Sequence, residues 1–407
     1  MKNIKSLFLC VLSTTCLVGC SGTSPEKIHF ILTSDVTTNI TQNCREYIDA
    51  MRANQETIEN DYVINDLRGT TGKDVDIANY YDAKNTSTKS DKSYGVTLSV
   101  EPDEGYEADE YKYIISTNED LSDAREIVSS ETSIKAKNLF SGTKYYWKVV
   151  AGEKESKIES FETENYVRWI DCDAVYNVRD EGGYMTSSGQ RVKQGLVYRG
   201  GEITTRAWST DHTKTNTEEA KRVFRDEMGV RCELDLRRAS DLTEGNSGKS
   251  YNACAFAEDG DITWVNSDIQ SYGNCLSQDM TKIKKCFDTI AKADEAPVYF
   301  HCHGGADRTG TIGFLLLSLL GCSYTDVAMD FELTSYSSIG GGDCHRCHLR
   351  KDGMYDDYPG MISTFQNLTN GHGETLQEQA EYYLKVKCKV SQDNIDHIKE
   401  IMLEDVE

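Results

Sequence analysis

The sequence predicts an α/β domain, with a parallel-type sheet flanked by helices and a Cys-x5-Arg loop, preceded by an all-β sandwich. Three features of the chain carry that expectation. Between Val298 and Leu320, the apolar run Val298-Tyr299-Phe300 breaks at a glycine-bearing turn and resumes as a dense apolar run from Thr311. That reads as strand, loop and helix. From about residue 166 onward, strand-like and helix-like stretches alternate, which is the pattern of a sheet covered by helices. Between residues 94 and 164, short runs place apolar residues at every second position, as strands of a sandwich do.

Taken in order, the chain opens with Lys2 and Lys5, an apolar Leu7 to Leu12, and Leu17-Val18-Gly19-Cys20. This is the layout of a secretory signal over residues 1–19. The apolar run is well short of the roughly 20 residues that span a bilayer. The last four residues resemble a bacterial lipobox, which implies lipidation of Cys20. The expectation is an exported chain, held at the bacterial cell envelope by its acyl chains, with residues 20–25 as tether. A formal net charge of −23 disfavours nucleic acid as a partner, and anionic membrane surfaces too. Of the 14 cysteines, three are Cys10, Cys16 and Cys20, and the odd number left implies at least one free thiol.

The first module runs from about Glu26 to Glu164. Lys27 to Leu32 has strand character. Asn43 to Glu59 reads as an amphipathic helix through Cys44, Tyr47, Ile48, Met51 and Ile58. Val96, Leu98 and Val100 alternate, as do Tyr111, Tyr113 and Ile115, and Tyr145, Trp147 and Val149, so these aromatics are expected in a sandwich core. Leu139-Phe140-Ser141-Gly142-Thr143-Lys144-Tyr145-Tyr146-Trp147, with Phe161-Glu162-Thr163, resembles the last strands of a fibronectin type III sandwich. The helix then becomes an insertion between early strands. The resemblance implies a spacer, or an interaction module with a protein or glycan partner.

The second module spans residues 166–407. Thr217 to Glu227 reads as a helix ended by Gly229, and Arg231 to Leu236 as a strand. Ile262 to Val265 is another strand, and Asp279 to Ala293 a helix with Met280, Ile283, Phe287 and Ile290 on one face. Thr375 to Leu403 reads as two helices. The loop between strand and helix sits at the carboxyl end of its strand, where α/β sheets bind ligands.

That loop reads His301-Cys302-His303-Gly304-Gly305-Ala306-Asp307-Arg308-Thr309-Gly310. A strand, a glycine turn and a helix N-terminus together aim backbone amides at an anion. A helix N-terminus and a neighbouring guanidinium lower a cysteine pKa, which would make Cys302 a nucleophilic thiolate. Gly304 and Gly305 allow a close approach of backbone to ligand. Arg308 can grip two phosphoryl oxygens at once. Thr309 places a hydroxyl near the sulfur, and His301 is expected to orient the loop. This is a cradle for phosphate with a nucleophile at its floor.

The motif resembles the signature of the cysteine-dependent protein tyrosine phosphatases. Its Asp307-Arg308-Thr309-Gly310 ending is similar to a bacterial atypical branch of secreted tyrosine and lipid phosphatases. Tyr176-Asn177-Val178-Arg179-Asp180-Glu181-Gly182-Gly183-Tyr184, then Gly195-Leu196-Val197-Tyr198-Arg199-Gly200-Gly201-Glu202, resembles that branch's N-terminal marker. Leu234-Asp235-Leu236-Arg237 resembles its third. The resemblance covers about Tyr166 to Glu407 and implies a phosphatase domain acting through phosphocysteine without a cofactor. His303, Gly304, Gly305, Ala306, Thr309 and Arg199 are then the expected substrate-binding residues, with Arg179, Arg237 and Arg238 as further candidates. Within the resembled branch the aspartate inside the loop is the general acid, here Asp307. In the commoner tyrosine phosphatases a separate loop supplies it, for which Asp268 is placed in sequence. Asp235 is expected to pair with an arginine. Glu332, in Asp330-Phe331-Glu332-Leu333-Thr334-Ser335, is expected to be structural.

Cys344-His345-Arg346-Cys347-His348 has the spacing of a covalent haem site or a metal site, but stands without a visible further ligand. No metal is therefore assigned. The expected substrate is phosphotyrosine protein, because a deep cradle suits a long, flat phenol ester. A phosphoinositide or inositol phosphate is the alternative, although the loop interior carries no lysine. A surface binding protein acting through the sandwich is the alternative of another class.

Overall fold

The computed structural model describes residues 30–36, 40–56, 59, 95–172, 175–203, 218–239, 260, 262–270, 274–337 and 357–406. The leader, Cys20 and the Cys344–His348 cluster lie outside them.

The all-β part has strands β1 (Ile31–Asp35), β2 (Val96–Glu101), β3 (Tyr111–Ser116), β4 (Arg125–Ser129), β5 (Ser133–Ala136), β6 (Lys144–Ala151), β7 (Lys154–Glu155) and β8 (Glu159–Glu162), with helix α1 (Gln42–Ala53) between β1 and β2. One antiparallel sheet runs β1-β2-β5; the other runs β4-β3-β6-β7, with β8 also on β6. Alternation does here what the sequence predicted. Val96, Leu98 and Val100 of one sheet and Tyr113, Ile115, Trp147 and Val149 of the other turn inward into one core. Tyr113 stacks on Trp147 with ring centroids 6.4 Å apart. The first strand begins at Ile31, later than expected, and of the expected strand Lys27 to Leu32 only residues 30–32 are described.

The α/β part follows with β9 (Arg179–Asp180), β10 (Arg191–Val192), β11 (Val197–Gly200), α2 (Glu218–Arg222), β12 (Cys232–Asp235), β13 (Thr263–Asn266), α3 (Cys275–Gln278), α4 (Met280–Ile290), β14 (Val298–His301), α5 (Asp307–Leu319), α6 (Tyr324–Leu333), α7 (Asp357–Thr369), α8 (Leu376–Tyr382), α9 (Gln392–Met402) and β15 (Leu403–Glu404). The sheet order is β13-β12-β14-β11-β9, parallel except for β9. Central β14 is buried on both faces, so all four of its residues are buried. Helix α5 is buried along nearly its whole length, which explains why its sequence is apolar all round rather than along one stripe.

Helix α1 interrupts the early strands as the sequence predicted, with Thr41 accepting from the Cys44 amide as its N-cap. Its apolar face goes elsewhere. Cys44, Tyr47, Ile48 and Met51 enter the core of the α/β part, Tyr47 donates to Glu332, and Tyr336 donates to the Asn43 carbonyl at 3.3 Å. The sandwich core is already closed between its two sheets, whereas α6 offers an apolar face to cover. By packing, residues 42–53 belong to the second module, and the sequence boundary at Glu164 does not separate the two cores. Polar contacts also cross the junction: Glu227 accepts from Arg125 and from Asn138, each at 2.7 Å, and the Ser141 amide donates to Gln194 at 2.9 Å. Among the described residues, no helix is long and apolar enough to cross a membrane.

Candidate active site

The loop Cys302–Ala306 leaves the carboxyl end of β14 and enters the first turn of α5, which carries Asp307, Arg308 and Thr309. Its shape is fixed by what its carbonyls bond. The Cys302 carbonyl lies 2.9 Å from His301 Nδ1, and the His303 carbonyl accepts from the Glu202 amide at 2.9 Å. Asn177 Nδ2 donates to the carbonyls of Gly304 and Gly305, each at 3.2 Å, and Arg199 Nη2 donates to that of Gly305 at 3.1 Å. The Ala306 carbonyl accepts from Gly310 at 2.9 Å within the helix. Five successive carbonyls are thus turned onto the protein. A trans peptide points its N–H opposite its C=O, so the amides of His303 to Asp307 face the other way and form an anion nest.

Gly305 is required by this course. Its φ is +69°, and a Cβ there would lie 2.3 Å from the Gly200 carbonyl oxygen. Arg308 is fully buried, with Nη1 donating to the carbonyls of Leu236 and Ile269 at 3.3 Å each. Burial resists ionisation of Cys302, and Asp307 adds to that resistance. The Arg308 guanidinium and the hydroxyl and amide of Thr309 outweigh both, holding the thiol below its ordinary range. The Thr309 hydroxyl has no other hydrogen-bond partner, so its hydrogen can turn to the sulfur.

Behind the loop lies a chain of buried charges. His301 Nε2 lies 2.8 Å from Glu233 Oε1. An oxygen at each ring nitrogen favours the doubly protonated ring. Burial opposes that charge, but Asp235 and Glu233 lift the His301 pKa above its usual value. Asp235 grips Arg237 through Nε and Nη2 at 2.9 and 2.7 Å, Arg237 reaches Glu202 at 3.1 Å, and Glu202 faces His303 Nδ1 at 2.9 Å. The expected pairing of Asp235 with an arginine is therefore observed. Glu233, Asp235 and His301 bring side-chain atoms within 4.8 Å of one another, as metal ligands would. A cation there would have to displace a proton from His301 and a guanidinium from Asp235, so these residues do not fit one.

The other expected residues are placed as follows. His303, Gly304, Gly305, Ala306 and Thr309 line the loop and its helix start. Arg199 does not. It is fully buried behind the loop, donating to Asp330 and to the Gly305 carbonyl, so it positions the cradle rather than binding the ligand. Arg179 likewise donates to Asp330 at 2.9 Å and to Asn177 at 2.6 Å, and Arg237 is enclosed by carboxylates. All three guanidinium groups are buried and committed to these carboxylates. Asp268 follows β13 and is ion-paired with Lys282 at 2.8 Å. Partial burial works against its charge, yet Lys282, the Ala239 amide and Gln270 hold the carboxyl below its ordinary value. It is set up to stay ionised. Asp307 is half-buried in the first turn of α5.

Sequence reasoning did not single out Asn177, Glu202 and Asp330 for these duties. Asn177 and Glu202 lie inside the N-terminal marker and Asp330 beside Glu332. A polar side chain inside an otherwise apolar, buried stretch was the available signal.

A sequence model of the tyrosine phosphatase family matches residues 170–404, more than half of the chain. A tyrosine-protein phosphatase of Nostoc commune is 27% identical over 122 residues, which are 27% of this chain and 42% of that protein. The core catalytic domain of a PP-IP phosphatase from S. cerevisiae, solved with citrate, aligns over 35% of this chain and 72% of its own, with 13% identity and a TM-score of 0.24.

Proposed function

Because the chain belongs to the tyrosine phosphatase family, we propose that it hydrolyses phosphotyrosine in protein through a phosphocysteine intermediate. The observation that carries this reading is the buried Cys302 thiol, held below its ordinary range by Arg308 and Thr309 at the floor of an amide nest. The Cys302 thiolate attacks phosphorus as the bond to the phenolic oxygen breaks, and Asp307 gives that oxygen its proton. The three equatorial oxygens meet the loop amides and Arg308, which stabilise the charge where it develops. The Asp307 carboxylate then takes a proton from water attacking phosphocysteine. The S–P bond breaks, phosphate leaves and the thiolate returns.

Asp307 is preferred to Asp268 as the acid because Asp268 is tied to Lys282 as a carboxylate. Phosphotyrosine is preferred to a polyphosphorylated inositol because His303, the loop's own candidate for a second phosphate, faces the Glu202 carboxylate. We further propose export and lipidation at Cys20, on the leader residues alone, and a fibronectin type III-like role of contacting protein or glycan for the sandwich. The chain expressed from about Thr23 onward, offered a phosphotyrosine peptide and a phosphoinositide side by side under reducing conditions, tests the substrate class. The peptide should be the better substrate, with turnover absent from Cys302→Ser. Preference for the lipid would replace the phosphotyrosine reading. No Cys302-dependent turnover of either would sink the enzyme proposal for these substrates.

A further inference from the structure

Glu181 follows β9 and is fully buried, yet neither of its carboxyl oxygens has a hydrogen-bond partner. Its Oε1 lies 3.5 Å from Nε of Arg199, and that Nε also lacks a hydrogen-bond partner. The other two guanidinium nitrogens are committed, Nη1 to Asp330 and Nη2 to the Gly305 carbonyl at 3.1 Å. Gly313, on the same helix as Arg308, makes the space: a Cβ there would lie 2.6 Å from Arg199 Nη1 and 3.0 Å from Glu181 Oε1. The contact between Glu181 and Arg199 is poised but not made.

We propose that Glu181 is a positioning residue that competes with the catalytic loop for Arg199. Neutral, it leaves Arg199 on the Gly305 carbonyl. Ionised, it draws the guanidinium toward itself and loosens the loop. Charge-assisted N–H···O bonds settle near 2.7–2.9 Å, so closing this contact moves Nε by roughly 0.6–0.8 Å. The guanidinium is planar and rigid, so Nη2 moves with it, and its bond to Gly305 is already close to the usual upper length of about 3.2 Å.

The surroundings set which form prevails. Burial and the Asp330 carboxylate disfavour a second negative charge more than Arg199 and Arg179 favour it, raising the Glu181 pKa to about 8. Asp180, itself paired with Arg168, and Asp326, Tyr184 and Cys322 also surround this cluster among the described residues; burial pushes Tyr184 and Cys322 up, so both stay neutral. Loop order is therefore present below that pH and fades above it.

The inference rests on the phosphatase reading for what the loop does, so its test has two readouts. The first is kcat/KM against pH on a dinitrophenyl phosphate, whose phenol leaves without a general acid. Between pH 7 and pH 9 the wild type should fall about tenfold relative to Glu181→Gln, as one ionisation near the middle of that range requires once the thiol's own titration, common to both proteins, is divided out. The second is hydrogen exchange of the loop peptide in the full chain. Relative to Glu181→Gln or Glu181→Leu, wild-type protection at the loop should fall as pH rises from 7 to 9. The second variant covers failure of the first to fold. An alkaline limb unchanged in Glu181→Gln, or loop protection that changes with pH equally in all three proteins, would overturn the proposal. Absence of any Cys302-dependent turnover would overturn the phosphatase reading instead, and the exchange comparison would still decide for or against Glu181.

Discussion

Cys302 is buried, which raises a thiol pKa, and lies beside Arg308 and Thr309, which lower it more. The sign of the pH dependence follows. The folded pKa is lowered, so thiolate and activity toward an activated aryl phosphate rise as pH rises through it. The stability this group contributes is complete above the unfolded thiol's pKa and is lost as pH falls through the folded one. Arg308→Met should therefore move the midpoint of Cys302 alkylation upward and lower kcat/KM by about 100–1000-fold; an unmoved midpoint would mean that the guanidinium does not govern the thiol. The two candidate acids separate in the same assay. Asp307→Asn should cost a phosphotyrosine peptide about 100-fold or more in kcat/KM while sparing kcat/KM for a dinitrophenyl phosphate, whose first step needs no acid. Asp268→Asn, which removes the Lys282 ion pair and the charge held by the Ala239 amide and Gln270, should change either substrate severalfold at most, and the reverse ranking would make Asp268 the acid. The loop chemistry was legible in the sequence because spacing along a strand–loop–helix turn nearly fixes geometry. The role of Arg199 was not, because whether an arginine faces the cleft or the core depends on Asp330, distant in sequence.

At the scale of elements, the loop is held from behind. Asn177, Arg199 and the Glu202 amide take its carbonyls, and Asp330 on α6 holds Arg179 and Arg199 together, with burial opposed and overcome by the two guanidinium charges that keep its carboxyl below the usual range. Asn177→Ala leaves the Gly304 carbonyl without the donor that holds it and should destabilise the fold by about 1–3 kcal/mol in urea unfolding. It should also lower kcat/KM more than KM alone explains. Gly305→Ala meets both a strained φ and the Gly200 carbonyl, and should abolish turnover even where the protein remains folded by circular dichroism. Retained activity would show that this loop course is not the working one. Strand and helix positions were readable from periodicity, β14 and α5 most clearly. Which residues pin the loop was not, since they come from the segment before β9, from β11 and the residues just after it, and from α6, and only the assembled sheet brings these together.

For the whole molecule, the unexpected feature is the place of α1. Its period-3.6 face was plain in Cys44, Tyr47, Ile48 and Met51, but periodicity shows only that a face is covered, not by what. Here α6 covers it, the same helix whose Asp330 steadies the loop. The N-terminal module and the α/β part should therefore unfold together. Ile48→Ala should lower stability by about 2–5 kcal/mol within a single cooperative transition. A separate early transition for the N-terminal module, with the α/β part unshifted, would contradict this packing.

Everything proposed for the site turns on Cys302 carrying the phosphoryl group. Acid quenching of the enzyme during turnover of a phosphotyrosine peptide, followed by mass spectrometry of the Cys302 peptide, reads this without an intermediary. A phosphoryl group should be found on Cys302, chased by further incubation, and absent from Cys302→Ser. Steady turnover with no phosphoryl group on Cys302, or turnover that survives its replacement by serine, would rule the phosphocysteine route out.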